Sequence, residues 1–513
     1  MKDAVKETIF IIALTWLSLV VPQGALAQEI LQEARAEIEA KTFSENYEVI
    51  PFPDSTLIVY KSPYYDLFKP KHSFTRFDEN LKQVWEITIE LDDYLDLHQI
   101  YPADKFLYIL YLDRNPMRFH LLRLDTRTSE HTLTRYNLKD FDLDSDTRLD
   151  EFKVLGDQVF ITAHNNRNFL VLHLDLQEHE IRPIPALYDQ LSALADFHLD
   201  TVANRAEFIL AESNGPRGRL QAKRFSLEGN LYTTNFIQPD FRRNLITARF
   251  TPGDSTGKRL IGAFSVRDLR FAQGLFTAPL TGGEDSIEYY DFLELKHFFD
   301  FLSKGAQRRL QQRAERFKQK NKELRLSYRV MLHDLQTYRD TLYLFAEAYT
   351  ISHNTSQINR YLTRSVYPYI NGVYVPHQTP PEAQTKYSHS VVVAFDRQGK
   401  LLWDNAYVLE DAVTNELAQL TQPAFAGNKI ILAYAYKKDI RYKVIDRDRP
   451  SDNELSVPVQ TNTEGEKVTS TEDADLQHWY GANYVAFGFQ HIRQPGNPSR
   501  EVFYLNKVTF EDR

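Results

Sequence analysis

The chain contains no cysteine among its 513 residues. This absence excludes disulfide bridges, thiol catalysis, cysteine-ligated zinc or iron–sulfur sites, and lipid attachment at a processed N-terminal cysteine. A secreted eukaryotic protein of this size usually carries disulfides. If the chain is exported, the lack of cysteine therefore favours a bacterial periplasmic or extracellular protein.

Positive charge and long apolar runs are also in short supply. The chain has 61 Lys and Arg against 70 Asp and Glu, a net charge of -9, which argues against a general nucleic-acid-binding protein. One apolar run occurs, residues 8–21 (TIFIIALTWLSLVV), and it is shorter than the roughly 18 residues needed to span a bilayer. We therefore expect no transmembrane segment, while 42% hydrophobic and 13% aromatic residues indicate a folded chain.

The apolar run has the flanks of a secretory signal peptide. Lys2 and Lys6 precede it, and the small-residue site Ala25-Leu26-Ala27 follows. We expect cleavage after Ala27, export to the periplasm or the medium, and a mature chain of residues 28–513. The other interpretation is a buried N-terminal helix.

The rest of the chain repeats one pattern. A short run rich in Ile, Val, Leu, Phe and Tyr occurs eight times, each time too short for a helix and with the composition of a strand. The eight runs are TLIVY (56–60), FLYILY (106–111), QVFITA (158–163), AEFILA (206–211), RLIGAF (259–264), TLYLFA (341–346), KIILAY (429–434) and NYVAF (483–487).

The spacing of the repeats predicts the architecture. Polar turns follow the runs, and those at Asp78, Asp125, Asp175, Ser226 and Pro279 lie 47, 50, 51 and 53 residues apart. Such a unit holds four antiparallel strands, and radial repetition buries both faces of each sheet. We predict one all-β domain, an eight-bladed β-propeller completed by an N-terminal strand near residues 36–43. A seven-bladed ring and two stacked β-sandwiches are the alternatives.

Two repeats resemble a known family. Residues 393–407 read VAFDRQGKLLWDNAY and residues 74–89 read FTRFDENLKQVWEITI. Both resemble the repeat of pyrroloquinoline-quinone-type propellers, with Trp85 and Trp403 at the position of the tryptophan that docks between neighbouring blades in that family. Quinone-dependent members stack their cofactor on a vicinal disulfide, which a cysteine-free chain lacks. The resemblance therefore points to the cofactor-free, scaffold-like branch, and it extends to exported Bacteroidota propellers of unassigned role.

Insertions interrupt the period, and in a propeller such loops carry specificity. The first, residues 291–324, is expected to contain a helix. Apolar Ala306, Leu310, Ala314 and Phe317 recur at helical spacing among many basic residues. We assign Arg308, Arg309, Arg313 and Arg316 to a candidate surface for an anionic partner. The alternative is a solvated helix that docks on the propeller without a ligand.

Two further insertions lie downstream. Residues 350–386 are rich in tyrosine and proline, which suits recognition of a glycan or a protein; an alternative is a loop folded on its own blade. The candidate ligand-binding residues of this region are Tyr349, Tyr361, Tyr367, Tyr369, Tyr374 and His389. Residues 448–475 are polar and are predicted to form a mobile loop without a site.

One acidic string has the spacing of a metal loop. Asp142, Asp144, Asp146 and Asp150 occupy alternate or near-alternate positions, as ligands of Ca²⁺ do. Thr147 stands where a calcium loop needs a flexible glycine, so an acidic solvated turn is the other interpretation. Apart from this Ca²⁺ site, we expect no cofactor.

Motifs of catalysis are missing from the sequence. It contains no G-x-S-x-G, no H-E-x-x-H and no glycine-rich phosphate loop, so we assign no catalytic residue. The sequence favours a non-enzymatic exported propeller that binds a protein or a glycan at the bacterial envelope. The alternative is a carbohydrate-active hydrolase or lyase with its site in the central funnel.

Overall fold

A computed structural model gives the arrangement of most of the chain. It describes residues 30–40, 45–63, 70–92, 95–113, 115, 117–138, 147–165, 168–184, 187, 192–213, 217–252, 257–353, 369–370, 373–374, 383–414, 417–451, 455–462, 465–494 and 498–511. The expected signal peptide, residues 1–27, lies outside these ranges and stays a prediction. Among the described residues, no helix combines the length and the apolar character needed to cross a lipid bilayer.

The strands form eight antiparallel sheets arranged as the predicted eight-bladed propeller. The first strand of the chain, β1, covers Ile30–Glu39. Blade 1 comprises β2 to β5 (Glu45–Pro51, Leu57–Pro63, Lys71–Phe77, Gln83–Glu90). Blade 2 comprises β6 to β9 (Leu95–Ala103, Phe106–Asp113, Arg118–Asp125, His131–Asn137). Blade 3 comprises β10 to β13 (Thr147–Leu155, Gln158–Asn165, Asn168–Asp175, Glu180–Pro183).

Blades 4 and 5 repeat this pattern and are followed by the only helix of more than three residues in the described part. Blade 4 comprises β14 to β17 (Ser192–Asp200, Arg205–Ser213, Gly218–Ser226, Leu231–Ile237). Blade 5 comprises β18 to β21 (Asn244–Phe250, Arg259–Ser265, Gly274–Pro279, Glu288–Asp291). Helix α1, Lys304–Gln319, connects blade 5 to blade 6.

The last three blades complete the ring. Blade 6 comprises β22 to β24 (Arg329–Leu332, Gln336–Tyr338, Thr341–His353) and β27 to β29 (Ala383–Phe395, Leu401–Val408, Val413–Thr414), with a separate hairpin of β25 and β26 (Tyr369–Ile370, Val373–Tyr374). Blade 7 comprises β30 to β33 (Gln422–Ala426, Lys429–Tyr436, Asp439–Ile445, Leu455–Pro458). Blade 8 comprises β34 to β36 (Lys467–Tyr480, Asn483–Arg493, Arg500–Phe510).

Blade 8 is closed by the N-terminal strand. It has the strand order β1-β36-β35-β34, so its outermost strand comes from the start of the chain. The prediction of such a strand is confirmed, although the pairing begins at Ile30, opposite Phe510, and ends at Glu39 rather than running over residues 36–43. The pairing joins the two ends of the chain and leaves no blade with three strands.

The core is divided into eight buried hydrophobic clusters, and each lies between two consecutive blades. The cluster between blades 8 and 1 contains Phe487 and Leu505 from one blade and Val49 and Val59 from the other. The predicted apolar runs lie on the second strands, which are buried on both faces. Because every sheet needs two neighbours to cover its faces, a closed ring buries all of them.

The two repeats that resemble the pyrroloquinoline-quinone type lie in blades 1 and 6 and share a local geometry. In both of them, and also in blade 4, the outer strand begins with a β-bulge, at Val84, Leu402 and Tyr232 respectively. In blade 1 the next residue is Trp85, whose indole Nε1 donates a 3.0 Å hydrogen bond to the carbonyl oxygen of Thr126 in blade 2. This tryptophan therefore contacts the neighbouring blade, as the resemblance implies.

One segment differs from its prediction. Within residues 448–475, predicted to be a polar loop, Leu455–Pro458 forms the outer strand of blade 7, and β34 begins at Lys467. The loop prediction is wrong for these stretches. The outer strand of blade 7 faces solvent along much of its length, and β34 is the innermost strand of blade 8 and borders the inside of the ring, so both need few apolar residues and polarity alone does not separate them from a loop.

Candidate functional site

Local interactions explain where helix α1 begins and where it ends. The Ser303 hydroxyl accepts a hydrogen bond from the backbone N–H of Ala306 and caps the N-terminus. Arg316 and Lys318 occupy the last turn, where positive charge is stabilised by the helix dipole. The helix therefore forms where the spacing of its apolar residues predicts.

The helix is held on the propeller by its narrow apolar side. Ala306, Leu310, Ala314 and Phe317 are half-buried, and Leu310 packs against the cluster between blades 5 and 6. Immediately after the helix, the side-chain amide of Gln273 binds the backbone of buried Leu324 and Leu326, donating at 3.0 Å and accepting at 3.1 Å. These contacts fix the orientation of α1.

Helix α1 and the residues that follow it, 304–325, form a cationic surface. This segment carries nine exposed basic residues against two acidic ones, a net charge of +7 in a chain of net charge -9. The nine are Lys304, Arg308, Arg309, Arg313, Arg316, Lys318, Lys320, Lys322 and Arg325, and we call them the α1 cationic surface. None of them forms an ion pair with another residue in the described ranges, so the charge is uncompensated within this part of the molecule.

The connection that holds α1 and the strand ends that flank the tyrosine-rich insertion lie at the same edge of blade 6. In an antiparallel blade, the connection from the preceding blade and the ends of the second and third strands share one edge. Helix α1 lies in the connection from blade 5 to blade 6. The tyrosine-rich insertion begins after β24 and ends before β27, the second and third full strands of blade 6.

Only part of the tyrosine-rich insertion falls within the described residues. Tyr361 and Tyr367 lie outside them, and Tyr369 and Tyr374 pair across the β25–β26 hairpin. Tyr349 is buried in β24. The tyrosine site therefore stays a prediction.

His389, assigned to the same surface, is instead a core residue. It is fully buried in β27, stacked on the Phe301 ring at 4.5 Å and contacted edge-on by Phe298 at 4.8 Å. Burial lowers its pKa to about 3, so the imidazole is neutral near pH 7. The assignment of His389 to an exposed binding surface is therefore wrong, because the insertion that precedes blade 6 covers it with aromatic rings.

Of the four aspartates in the acidic string, only Asp150 lies within the residues that the structure describes. Asp142, Asp144 and Asp146 lie outside the described residues. The Asp150 carboxylate lies in β10 and contacts His164 Nδ1 at 2.8 and 3.0 Å. Within the described ranges no cluster of three or more His, Asp or Glu side chains has the arrangement of a metal site. The Ca²⁺ site thus stays a prediction.

A cavity opens inside the ring. It has a volume of about 500 Å³ and is lined from the first strands of blades 5, 6, 7 and 8 and from Tyr349. Its polar lining includes Arg249, His333, Asp334 and Gln422. The first strand of blade 6 is interrupted here, because β22 and β23 both pair with β24 and residues 333–335 form a bulge between them. The bulge places His333 and Asp334 at the cavity wall.

Charged groups meet on the channel wall at Arg249. Its Nη1 lies 3.1 Å from Asp196 Oδ1, its Nε lies 3.5 Å from Asp334 Oδ1, and its Nη2 donates to the carbonyl oxygen of Leu332 at 2.8 Å. Burial raises the pKa of Asp196. The protein atoms around Asp334 also raise the pKa of that carboxyl group. The positive charges of Arg249 and Lys153 outweigh this effect, so the pKa of Asp334 is lowered. The guanidinium is therefore balanced by neighbouring carboxylates.

Sequence reasoning missed this cavity. Its residues come from four blades and share no motif, so no spacing could bring them together in advance. The available signal was the polar content of the first strand of several repeats, where Asp196, Arg249 and His333 interrupt otherwise apolar segments.

Comparison with known proteins gives the fold alone. No protein-family model matches the chain, and no curated protein is significantly similar to it. Similar solved structures include the polysaccharide lyase Uly1, at 8% identity and a TM-score of 0.39, covering 82% of this chain and 91% of that one. They also include the β-propeller domain of the Trilobed protease from Pyrococcus furiosus, at 7% identity and a TM-score of 0.35, covering 82% of this chain and 96% of that one. A DUF4221 family member from Bacteroides vulgatus is similar at 10% identity and a TM-score of 0.31, covering 79% of this chain and 92% of that one.

At these identities and TM-scores, the likeness carries no information on function. One of the three is described as a β-propeller domain, and the likeness does not single out the pyrroloquinoline-quinone type. The resemblance of the two tryptophan-containing repeats therefore stays a resemblance.

Proposed function

We propose that the protein is a non-enzymatic binding module of the bacterial envelope that holds an anionic glycan on the α1 cationic surface. The observation that carries the proposal is the set of nine exposed basic side chains without an internal ion-pair partner in the described ranges. The signal-like N-terminus and the absence of cysteine support an exported protein.

The arrangement of the arginines suits a carboxylated chain. Arg309, Arg313 and Arg316 follow one another at helical spacings of four and three residues, about 5–6 Å apart, roughly the length of one sugar residue. A guanidinium binds a carboxylate through two parallel hydrogen bonds. A polyuronate laid along the helix would therefore contact several arginines at once.

A lipid surface fits α1 less well. A helix that lies in a membrane interface presents apolar side chains to the lipid. Leu310 packs against the propeller instead, the half-buried Phe317 ring lies under the Arg313 guanidinium at 5.7 Å, and none of the large exposed hydrophobic residues of the described chain lies on α1. The helix has charge for an anionic surface but no apolar face left to insert.

The test is a charge-matched substitution. One variant carries Arg308→Gln, Arg309→Gln, Arg313→Gln and Arg316→Gln. The control variant carries Arg118→Gln, Arg127→Gln, Arg135→Gln and Arg148→Gln, four exposed arginines of blades 2 and 3. Both lose four charges, and glutamine preserves helix propensity. Binding of alginate, of uncharged dextran and of vesicles with phosphatidylglycerol is measured at 50 and 200 mM NaCl.

We expect alginate to bind wild-type protein and the control variant, with weaker binding at the higher salt concentration. Each cation contributes about 1 kcal/mol at an anionic surface, so the α1 variant should lose affinity by roughly 10²–10³-fold. Equal loss in both variants would indicate a general charge effect. Preference for vesicles over alginate would replace the glycan with a membrane.

A second candidate is the carbohydrate-active hydrolase or lyase. It is favoured by Asp196 and Asp334, two carboxylates that share Arg249 and whose pKa values move in opposite directions. Against it, Asp196 does not line the cavity, and a general acid must reach its substrate. Release of new reducing ends from a glycan, lost in Asp334→Asn, would establish catalysis.

A further inference from the structure

The cavity inside the ring has the size and preformed walls of a ligand site. Its volume of about 500 Å³ lies within the roughly 300–1,000 Å³ typical of small-molecule sites. Strands of four blades form most of its wall, together with His333 and Asp334 from the bulge in blade 6. It is separate in sequence from the α1 cationic surface.

The wall combines apolar atoms with hydrogen-bonding groups. Val330, Met331, Leu332 and Pro423 contribute apolar atoms. Three amide side chains also line the cavity, Gln336, Gln419 and Gln422, and Gln419 already donates to the carbonyl oxygen of Thr421 at 2.9 Å. An amide offers a donor and an acceptor side by side, which matches the donor and acceptor of a hydroxyl group. A wall of amides and apolar atoms is suited to a polyhydroxylated ring.

One charged group of the cavity is open to solvent. Asp334 has a side chain that is 82% exposed, and it lines the cavity. His333, the residue before it, is buried, and its Nε2 lies 3.5 Å from the buried Glu347 Oε2 and out of reach of a ligand.

Charge balance selects the class of ligand. Among the described residues that line the cavity, Arg249 is the one cationic side chain, and Asp196 and Asp334 both lie near it. Its Nη2 is occupied by the carbonyl oxygen of Leu332. An anionic ligand would have to displace these carboxylates or approach Asp334, whose lowered pKa keeps it ionised. The wall therefore favours an uncharged ligand.

We propose that this cavity binds one neutral sugar residue, with Asp334 and Gln422 as its hydrogen-bonding partners. Asp334 accepts from sugar hydroxyls, and Gln422 donates and accepts. The site is independent of the proposed function, because it uses none of the residues of α1.

The experiment measures binding of four probes, glucose, galactose, mannose and N-acetylglucosamine, by saturation-transfer NMR and isothermal titration calorimetry. Glucuronate and inorganic phosphate serve as charged comparators. The variants are Asp334→Asn and Gln422→Ala, and the control is Asp340→Asn, an exposed aspartate at the far end of the same blade. Near-ultraviolet circular dichroism checks that each variant keeps its tertiary structure.

We expect at least one neutral probe to bind, with affinity reduced tenfold or more in Asp334→Asn and in Gln422→Ala and unchanged in Asp340→Asn. The α1 arginine variant should bind the sugar as wild type does, which separates this result from the fate of the glycan proposal. The inference is overturned if none of the four sugars binds at 50 mM, if both cavity variants bind like wild type, or if phosphate or glucuronate binds more tightly.

Discussion

Closure of the ring depends on β1, and Arg35 is the residue that ties this strand down. Its guanidinium donates to Glu37 Oε1 at 2.7 Å, to the carbonyl oxygen of Gln460 at 2.9 Å, and to Asn506 Oδ1 and Gln490 Oε1 at 2.8 Å each. The side chain is only 5% exposed. Arg35 thus joins the closing strand to two strands of blade 8 and to the connection from blade 7.

Replacing Arg35 with alanine removes four hydrogen bonds and leaves the buried amide oxygens of Gln490 and Asn506 without this donor. Loss of one member of a buried charged network costs about 3–5 kcal/mol. Because β1 is held at an edge, this cost should appear first as local opening of the strand. The opening equilibrium should rise by roughly 10²-fold to 4 × 10³-fold.

Hydrogen exchange measured by mass spectrometry reports this equilibrium. In Arg35→Ala we expect faster exchange in β1 and in the amides of β36 that face it, with β7 of blade 2 unchanged. Arg127→Ala, which removes an exposed arginine, should exchange like wild type throughout. Unchanged protection of β1, or an equal loss in β7, would refute the view that Arg35 secures the closure.

Three further predictions concern stability, each measured as the free energy of unfolding in urea. Lys258→Met should destabilise the protein by about 3–5 kcal/mol, because the Lys258 amine now lies 2.5 Å from the buried carboxylate of Asp200 and 2.7 Å from that of Glu207. A loss of stability below about 1 kcal/mol would contradict this prediction. Since burial lowers the pKa of His389 to about 3, the unfolded chain binds a proton below about pH 6.5 that the folded chain does not. Wild-type stability should therefore fall between pH 6.5 and 4 more steeply than that of His389→Phe, by up to about 1.4 kcal/mol per pH unit, and equal slopes would disprove it. Gly399→Ala should lower the free energy of unfolding by about 1–2 kcal/mol, because Gly399 has a φ of +81° and the new Cβ would lie 2.8 Å from Arg259 Nε. Gly305→Ala in α1 should instead raise the free energy of unfolding by up to about 1 kcal/mol. A more stable Gly399→Ala than Gly305→Ala would be incompatible with this geometry.

The blades could be predicted because their information is local. A run such as residues 56–60 is apolar, short and flanked by turn residues, and the corresponding strand β3 begins at Leu57. Repetition of that signal eight times gave the number of blades. The helix was equally local, since Ala306 through Phe317 keep helical spacing and Ser303 supplies a cap.

What could not be predicted depends on distant partners. The closing strand begins at Ile30 because it must match Phe510 at the other end of the chain, and no local pattern fixes that register. His389 is a core residue because Phe298 and Phe301, from an insertion about ninety residues earlier, cover it. The cavity needs residues from four blades, and its lining exists only once the ring is closed.

The most direct test of the α1 cationic surface is to locate the ligand on the molecule. Hydrogen exchange of wild-type protein is compared with and without saturating alginate at 50 mM NaCl. We predict slower exchange in residues 304–325 and no change in the outer strands of blades 2 and 3, β9 and β13. Protection elsewhere with none in residues 304–325, or no protection at saturating alginate, would contradict the proposal.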